Sequence, residues 1–294
     1  MKRMIPAILL VLCLAFFGCT QEQTQQTQSD SGKINVVVSF YPLYDFTKNV
    51  GEDKVEITTL IPNGVEPHEF EPTPNDMKRI LNADIFIYNG ANMEPWLPNL
   101  LKNLDDSNVI LVDTSRNIEL IQNDPHIWLD PMNAKKQVES IKDALVQKDP
   151  SNTKFYEESA LIYESKLDTL DFEIQSAFAD CANKNILITH ATLAYFCKRY
   201  GCTQIAITGV NPEAEPSPAD LANIIEQAKA NGVKAVFFES LINPKSAELI
   251  ANELGGYTLV FNSVHGITDD EKAQGKDYIS LMEDNLQNIG KNCR

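Results

Sequence analysis

Short apolar runs alternate with amphipathic stretches along most of the chain. In the first half the runs INVVVSF, VEITTLI, DIFIYNG and NVILVD are rich in β-branched and aliphatic residues, as buried strands are. Stretches with helical periodicity, such as YPLYDFTKNVG, PNDMKRILNA and EPWLPNLLKNL, separate these runs. Because strand and helix alternate, the pattern predicts an α/β fold with a mainly parallel sheet.

The same alternation returns after residue 184. The runs NILIT, TQIAIT, VKAVFFE and YTLVFNS predict four more strands, and amphipathic stretches such as ADLANIIEQAKANG predict the helices around them. Before this half, no Pro or Gly interrupts a helical stretch of roughly nine turns at 3.6 residues each, from Ser151 to Cys181. We therefore expect two lobes, each a mainly parallel four-stranded sheet with flanking helices, joined by a long rigid helix.

The first residues have the layout of an export signal. Residues 1–18 combine a basic start with an apolar run too short to favour a membrane span, and the small residue Gly18 precedes Cys19. This junction resembles a lipoprotein cleavage site, which predicts that Cys19 carries the lipid. The alternative is an ordinary secretory signal with an incidental cysteine. Residues 19–32 are too poor in apolar side chains to fold and predict a disordered tether.

These segments set the expected domain boundaries and location. An N-terminal lobe spans 33–148, the linking helix 149–182 and a C-terminal lobe 183–294. The protein is expected outside the cytoplasm, in the periplasm or on the outer face of the cell membrane, anchored by its lipid. Its 25 basic and 41 acidic residues give a formal net charge of −16 with no basic cluster, which argues against a nucleic-acid partner.

Three of the four histidines follow predicted strands. His68 comes shortly after VEITTLI, His126 lies in the loop after the fourth strand, and His190 directly follows NILIT. In open α/β sheets ligands bind beyond the carboxyl ends of the strands. We expect these imidazoles to meet in the cleft between the lobes and to bind zinc, with a fourth position for water or another side chain.

The histidines lie in motifs that resemble a known family. GVEPHEFEPTPNDMKRILNADIFIYNG, DPHIWLDPMN, ITHATLAYFCKRYG, GVNPEAEPSPADL and FFESLINPKSAELIANELG are similar, in this order, to motifs of the zinc and manganese solute-binding proteins of ABC transporters. The resemblance runs from about Val36 to Ile289. It implies two α/β lobes joined by a long helix, one metal ion in the cleft and delivery of that ion to a membrane permease.

The resemblance also assigns site residues. It places His68, His126 and His190 on ligand positions, and because manganese members hold a glutamate at the position of His190, the chain resembles the zinc branch. Manganese or another divalent metal is the alternative. In LVFNSVHG, where the family often has an aspartate, this chain has Asn262, so a neutral amide, or water instead, is expected as fourth ligand. His265, three residues on, is expected to be an exposed loop histidine.

Glu239, at the end of VKAVFFE, is expected to accept a hydrogen bond from a ligand histidine. Other functions fit the sequence less well. HEFEP lacks the second histidine of a zincin helix, because Pro72 stands at that position. A zinc metallohydrolase and an adhesin with the same fold are the remaining alternatives. We expect a monomeric binding protein without catalytic residues.

The sequence leaves the disulfide pattern open. After Cys19 the cysteines all lie in the second half, and export favours disulfides, with three connectivities for the four residues Cys181, Cys197, Cys202 and Cys293. The pair Cys181 and Cys202 is preferred, because both should lie at the bottoms of adjacent strands. Free buried thiols are the alternative.

Overall fold

Two four-stranded sheets, each parallel throughout, organise the chain. The computed structural model describes residues 32–104, 107–121, 124–210, 216–240 and 244–293. The first sheet has the order β2-β1-β3-β4, with strands β1 Ile34–Val38, β2 Val55–Thr59, β3 Ile85–Tyr88 and β4 Ile110–Asp113. The second has the order β6-β5-β7-β8, with strands β5 Asn185–His190, β6 Thr203–Thr208, β7 Ala235–Phe238 and β8 Tyr257–Val260.

Helices fill the connections between the strands. Those of the first half are α1 Tyr41–Gly51, α2 Pro74–Leu81, α3 Leu97–Leu104 and α4 Pro131–Lys148. The long helix α5 Thr153–Ala179 comes next. The second half contributes α6 Ala194–Tyr200, α7 Pro218–Ala230, α8 Lys245–Glu253, α9 Asp269–Ala273 and α10 Tyr278–Asn292. The predicted fold class is confirmed, because two mainly parallel four-stranded sheets and a long helix are present.

Apolar packing covers both faces of both sheets. One face of the first sheet packs on α2 and α3, and one face of the second packs on α7 and α8. The opposite faces share one large core with α4, α5 and α10, which includes Phe46, Trp128 and Tyr278. The residues from Lys33 onward accordingly form one compact unit. A core shared by both sheets holds their carboxyl edges in a fixed relation.

The long helix α5 crosses this shared core. It packs against α1 and α4 of the first half and against α10 of the second. The buried Tyr163 hydroxyl on α5 donates a 2.7 Å hydrogen bond to Asp45 on α1. Burial raises the pKa of this Asp45 carboxyl to about 6. The long helix α5 is therefore held against α1 by a buried hydrogen bond as well as by apolar packing, which makes it a rigid connection rather than a loose hinge.

The preferred disulfide pair was wrong. Cys181, just after α5, is bonded to Cys293, just after α10, while Cys197 and Cys202 are free and partly buried. The reason is the path of α10, which returns to the end of α5, so that the Ala182 N–H donates to the Cys293 carbonyl at 3.4 Å. The disulfide therefore closes the amino edge of the second sheet, away from the strand ends that carry His190.

Candidate metal centre

All four histidines lie at the carboxyl ends of strands. His190 is the last residue of β5, and His68 is the middle residue of the 3₁₀ turn Pro67–Glu69 after β2. His126 immediately precedes a second 3₁₀ turn in the connection that follows β4, and His265 lies in the loop after β8. The structure thus brings together the three histidines that the sheet topology singled out, and it adds His265 to them.

The four rings form a nearly regular tetrahedron. The six distances between their ring centroids all lie between 5.0 and 5.7 Å. The Nε2 atoms of His68 and His126 are 3.1 Å apart. Two nitrogens bound to one tetrahedral zinc at about 2.0–2.1 Å would be about 3.3–3.4 Å apart. The spacing of His68 and His126 therefore suits one zinc ion, and ring nitrogens of His68, His126 and His190 all lie within 4.8 Å of one another.

Acceptors on the outer side of the rings fix their orientation. His126 Nδ1 donates to Asp124 Oδ1 at 2.7 Å, and His190 Nδ1 donates to Glu239 Oε1 at 2.7 Å. His265 Nδ1 lies 2.9 Å from Ser263 Oγ and 3.6 Å from Glu239 Oε2. A carboxylate that accepts a hydrogen bond from Nδ1–H leaves Nε2 as the metal-binding nitrogen and makes Nε2 more basic. Glu239 thus contacts His190, one of the three histidines predicted to bind the metal.

Burial keeps three of the four imidazoles neutral at physiological pH. His126 and His265 are 0% and 2% exposed, and burial, followed by the charges of the neighbouring imidazoles, holds the pKa of each well below 6.5. Burial, then the charge of His190, lowers the pKa of His68 to about 4. Because zinc binds the unprotonated ring nitrogen, these histidines are ready to act as ligands without losing a proton.

His190 differs from the other three. Its Nδ1 faces the Glu239 carboxylate, and its Nε2 lies 2.8 Å from the carbonyl oxygen of Val210. Both partners are acceptors, so both ring nitrogens carry a proton. Burial lowers the pKa of His190, but the hydrogen bond and charge of Glu239 outweigh it and leave the pKa above 6.5. A metal ion at Nε2 would displace this proton and break the contact with Val210.

Hydrogen bonds across the cleft hold the loops of the site together. Trp128, fully buried, lies beside the rings of His126 and His265, with centroids 5.3 Å from each. Its Nε1 donates to the Ser263 carbonyl at 2.8 Å, so the two histidine loops are joined directly. Asp124 makes a second link, because its Oδ2 accepts the Ala194 N–H at the start of α6. The geometry of the cluster is therefore fixed by hydrogen bonds between its loops.

The comparisons with known proteins agree with this architecture. A family described as ZnuA, zinc-uptake complex component A, periplasmic, matches residues 36–292. The chain belongs to the ZnuA family. It is 35% identical over 289 residues to the high-affinity zinc uptake system protein ZnuA of Bacillus subtilis, an alignment that covers 92% of this chain and 91% of that protein.

A further relative of the ZnuA family comes from Streptococcus pneumoniae. The chain is 34% identical over 302 residues to the zinc-binding lipoprotein AdcA, which covers 96% of this chain but 60% of AdcA. The crystal structure of the Zn(II)-bound ZnuA-like domain of AdcA superposes with a TM-score of 0.82 at 37% identity, over 89% of this chain and 99% of that domain. The similarity thus extends over nearly the whole described chain.

Within this ZnuA-type cleft the side chain of Asn262, the expected fourth ligand, makes local hydrogen bonds instead. The Asn262 Oδ1 accepts the Val264 N–H at 2.8 Å, and its Nδ2 donates to Glu271 at 2.8 Å, so both ends of the amide are used locally. Val264 has a φ of +55°, which is costly for a β-branched residue. This turn directs His265 into the cluster, so the expectation of an exposed loop histidine was wrong.

Sequence reasoning missed Asp124 and Glu66 as partners of the ZnuA-type site. Asp124 stands two residues before His126, and its Oδ1 accepts both the N–H and the Nδ1–H of that residue. Glu66 stands two residues before His68 and accepts its N–H at 3.3 Å. The signal that could have found them is this shared spacing, in which an acidic residue, a proline and a histidine follow one another.

The predicted export signal and Cys19 lie outside the described residues. In the part of the chain that the structure describes, no helix combines the length and apolar character needed to cross a membrane.

Proposed function

We propose that this protein is the extracytoplasmic zinc-binding component of an ABC metal importer, and that it captures one zinc ion between its four imidazoles. The observation that carries the proposal is the tetrahedral arrangement of His68, His126, His190 and His265, with six centroid distances of 5.0–5.7 Å. The names of its relatives, a high-affinity zinc uptake protein and a zinc-binding lipoprotein, support the choice of ion.

The donor set favours zinc over manganese. Imidazole nitrogens bind zinc well, whereas manganese prefers oxygen ligands such as carboxylates. Four imidazole rings in a tetrahedral arrangement can offer the four nitrogens that zinc takes, without a carboxylate as a direct ligand. We therefore assign the fourth position to His265 rather than to Asn262 or water. Manganese, the alternative ion, would be bound here by nitrogen ligands alone, which it does not favour.

The charge of the ion is balanced from the outer side of the rings. Asp124 and Glu239 are 6% and 1% exposed, and each accepts an Nδ1–H from a ligand ring. A buried dication with neutral ligands would otherwise be costly to hold. When zinc binds His190 Nε2, the Val210 carbonyl loses its partner, so binding is coupled to a local change beside the site.

The same donor set argues against hydrolysis. Catalytic zinc sites keep a coordination position for water, with three protein ligands. If all four imidazoles bind the ion, they fill its four positions and leave none for a water molecule. We propose on this ground that the protein binds and releases metal and carries no catalytic residue.

We further propose the surroundings in which the protein acts. Acylation of Cys19 would tether a monomeric protein to the membrane, on the periplasmic or outer face, within reach of the ABC permease that receives the ion. If so, the wild-type protein partitions with membranes and Cys19→Ser releases it. A wild-type protein found wholly in the soluble fraction would contradict the anchor without affecting the metal site.

The metal assignment is tested by zinc titration of protein stripped with a chelator. We expect one zinc per chain, and a sharp loss of affinity in each of four variants, His68→Ala, His126→Ala, His190→Ala and His265→Ala. Metal analysis of protein purified without chelator identifies the ion carried. A quadruple variant that folds and binds zinc as tightly as the parent would overturn the assignment.

A further inference from the structure

In and beside the four-histidine cluster, two described side chains are partly exposed, His68 and Glu66, although the Glu66 Oε2 atom itself is buried. His126, His190 and His265 are fully buried, whereas His68 is only partly buried. Of the three carboxylates nearby, the Glu66 side chain is 16% exposed, against 2% for Glu239 and 6% for Asp124. An ion that arrives from solvent therefore meets Glu66 and His68 before it meets the inner rings.

These two residues form a second donor set with His265. One ligand atom from each of Glu66, His68 and His265 lies within 4.8 Å of the other two, and Glu66 Oε2 is 3.9 Å from His265 Nδ1. The His265 Nε2 atom is buried and has no hydrogen-bond partner among the described residues. A buried ring nitrogen without a partner is costly unless a ligand binds it. The set thus points to a cation rather than to a surface ion pair.

The position of Glu66 is fixed by the turn that carries His68. Its Oε1 accepts the His68 N–H at 3.3 Å, at the start of the 3₁₀ turn Pro67–Glu69, and Pro67 restricts the backbone between them. Its other oxygen, Oε2, lies on the side of His265. The carboxylate and the His68 ring are therefore presented to an incoming ion as one unit.

We propose that Glu66, His68 and His265 form an entry station through which divalent metal passes into and out of the four-imidazole site. This inference rests on the proposed function, because it requires that the inner cluster bind zinc. A carboxylate attracts a hydrated dication more strongly than a neutral imidazole does, and two imidazoles with one carboxylate suit first-row divalent ions.

The two donor sets share His68, and the proposed four-imidazole site also includes His265, so one ion cannot use both sets at once. Inward movement exchanges the Glu66 oxygen for the nitrogens of His126 and His190, while the shared rings stay bound. Each step then replaces ligands rather than leaving the ion without them. A station of this kind lowers the barrier for entry and for exit together and leaves the equilibrium affinity nearly unchanged.

The test measures rates and affinity separately on the full mature protein stripped of metal. Zinc is mixed in a stopped-flow instrument, and the fluorescence of Trp128, beside His126 and His265, reports binding. Release is followed after mixing the loaded protein with excess chelator. Glu66→Gln keeps an oxygen that accepts the His68 N–H and removes the charge, and Glu66→Asp keeps the charge on a shorter side chain. Glu69→Gln is the matched control, because exposed Glu69 belongs to the same 3₁₀ turn.

We expect Glu66→Gln to slow association and release by about tenfold each, the scale on which loss of one metal partner acts, with little change in Kd. Glu66→Asp should restore part of both rates, and Glu69→Gln should behave as the parent. Equal rates in Glu66→Gln and Glu69→Gln would overturn the station while leaving zinc binding by the parent intact. A raised Kd with unchanged association would also overturn it, because Glu66 would then be a resident ligand. A parent that binds no zinc would overturn both proposals.

Discussion

The indole nitrogen of Trp128 donates a 2.8 Å hydrogen bond to the carbonyl oxygen of Ser263, and so connects the loop of His126 to the loop of His265. Trp128→Phe keeps an apolar ring but leaves this buried carbonyl without its donor. We expect it to lower the free energy of unfolding by about 1–3 kcal/mol and to weaken zinc binding, because the two halves of the site lose their link.

Trp96→Phe provides the matched control for this change. Trp96 is also buried, but its Nε1 has no hydrogen-bond partner among the described residues, so the substitution removes no bond. Chemical denaturation and zinc titration of both variants measure the difference. Equal zinc affinities in the two variants would mean that the Trp128 to Ser263 bond does not support the site.

A second prediction concerns Glu239, which accepts the Nδ1–H of His190 at 2.7 Å. Glu239→Gln keeps the shape of the side chain but removes its negative charge. That charge balances the metal ion and makes the His190 ring more basic. We expect zinc affinity to fall by about 10- to 100-fold. The exposed residue Glu226, on α7, gives a control, because Glu226→Gln removes the same charge far from any ligand. Competition with a chromophoric chelator gives both affinities, and equal values would contradict a role for Glu239.

A third prediction is the pH dependence of zinc binding. In the metal-free protein the pKa of His190 lies above 6.5, so near neutral pH zinc must displace a proton from this ring. Affinity should therefore rise as pH increases through the pKa of His190 and then level off. Because burial lowers the pKa of His68 to about 4, protonation of that ligand competes only in much more acidic solution.

Calorimetry in buffers of different ionisation enthalpy counts the protons released. We expect close to one proton per zinc below the pKa of His190, and fewer in Glu239→Gln, where His190 loses the charge that favours its protonated form. Zinc binding without proton release at every pH between 6 and 8 would contradict the doubly protonated His190.

The sheet topology and three of the histidines were predictable from local patterns. Runs such as NILIT are short and β-branched, and a parallel sheet places its carboxyl ends at one edge, so the position of His190 at the end of β5 follows from the sequence. His68 and His126 follow in the same way. This reasoning needs only the order of strands and helices along the chain, which the periodicity of apolar residues indicates.

His265 and the disulfide were not predictable in this way. The inward direction of His265 depends on the left-handed backbone conformation of Val264, which β-branched residues seldom adopt. The Asn262 side chain stabilises this turn, although the family resemblance implied that Asn262 is a metal ligand. The Cys181 to Cys293 bond depends on where α10 ends relative to α5. Both features come from tertiary packing, which overrides what a single stretch of sequence favours.

A fourth prediction concerns stability through Asp45, which is 4% exposed and whose pKa burial raises to about 6. A carboxyl with a raised pKa in the folded state favours folding most when protonated. The contribution of Asp45 should therefore be largest below about pH 4 and fall as pH rises to about 6, by up to about 3 kcal/mol.

The comparison of the parent with Asp45→Asn isolates this effect. The free energy of unfolding of the parent minus that of the variant should decrease between pH 4 and 7, with chelator present so that metal does not contribute. Asp53→Asn, at an exposed position, should give a difference that does not vary in this way. If the difference in unfolding free energy between parent and Asp45→Asn stayed constant over this range, burial against α5 would not raise the pKa of the Asp45 carboxyl.

The last prediction decides which residue is the fourth ligand. If His265 binds the metal, His265→Glu replaces a nitrogen with a carboxylate, which manganese prefers, and should lower the zinc-to-manganese affinity ratio by at least about tenfold. The double variant His190→Glu with His265→Glu should lower it further. Asn262→Asp should leave the ratio unchanged and lower stability, because the new carboxylate would face Glu271, whose oxygen now accepts from the amide at 2.8 Å. Competition titrations at fixed pH and ionic strength measure each ratio. If Asn262→Asp lowered the ratio and His265→Glu did not, the metal would lie at Asn262, as the family resemblance first implied, and the four-imidazole site would have to be abandoned.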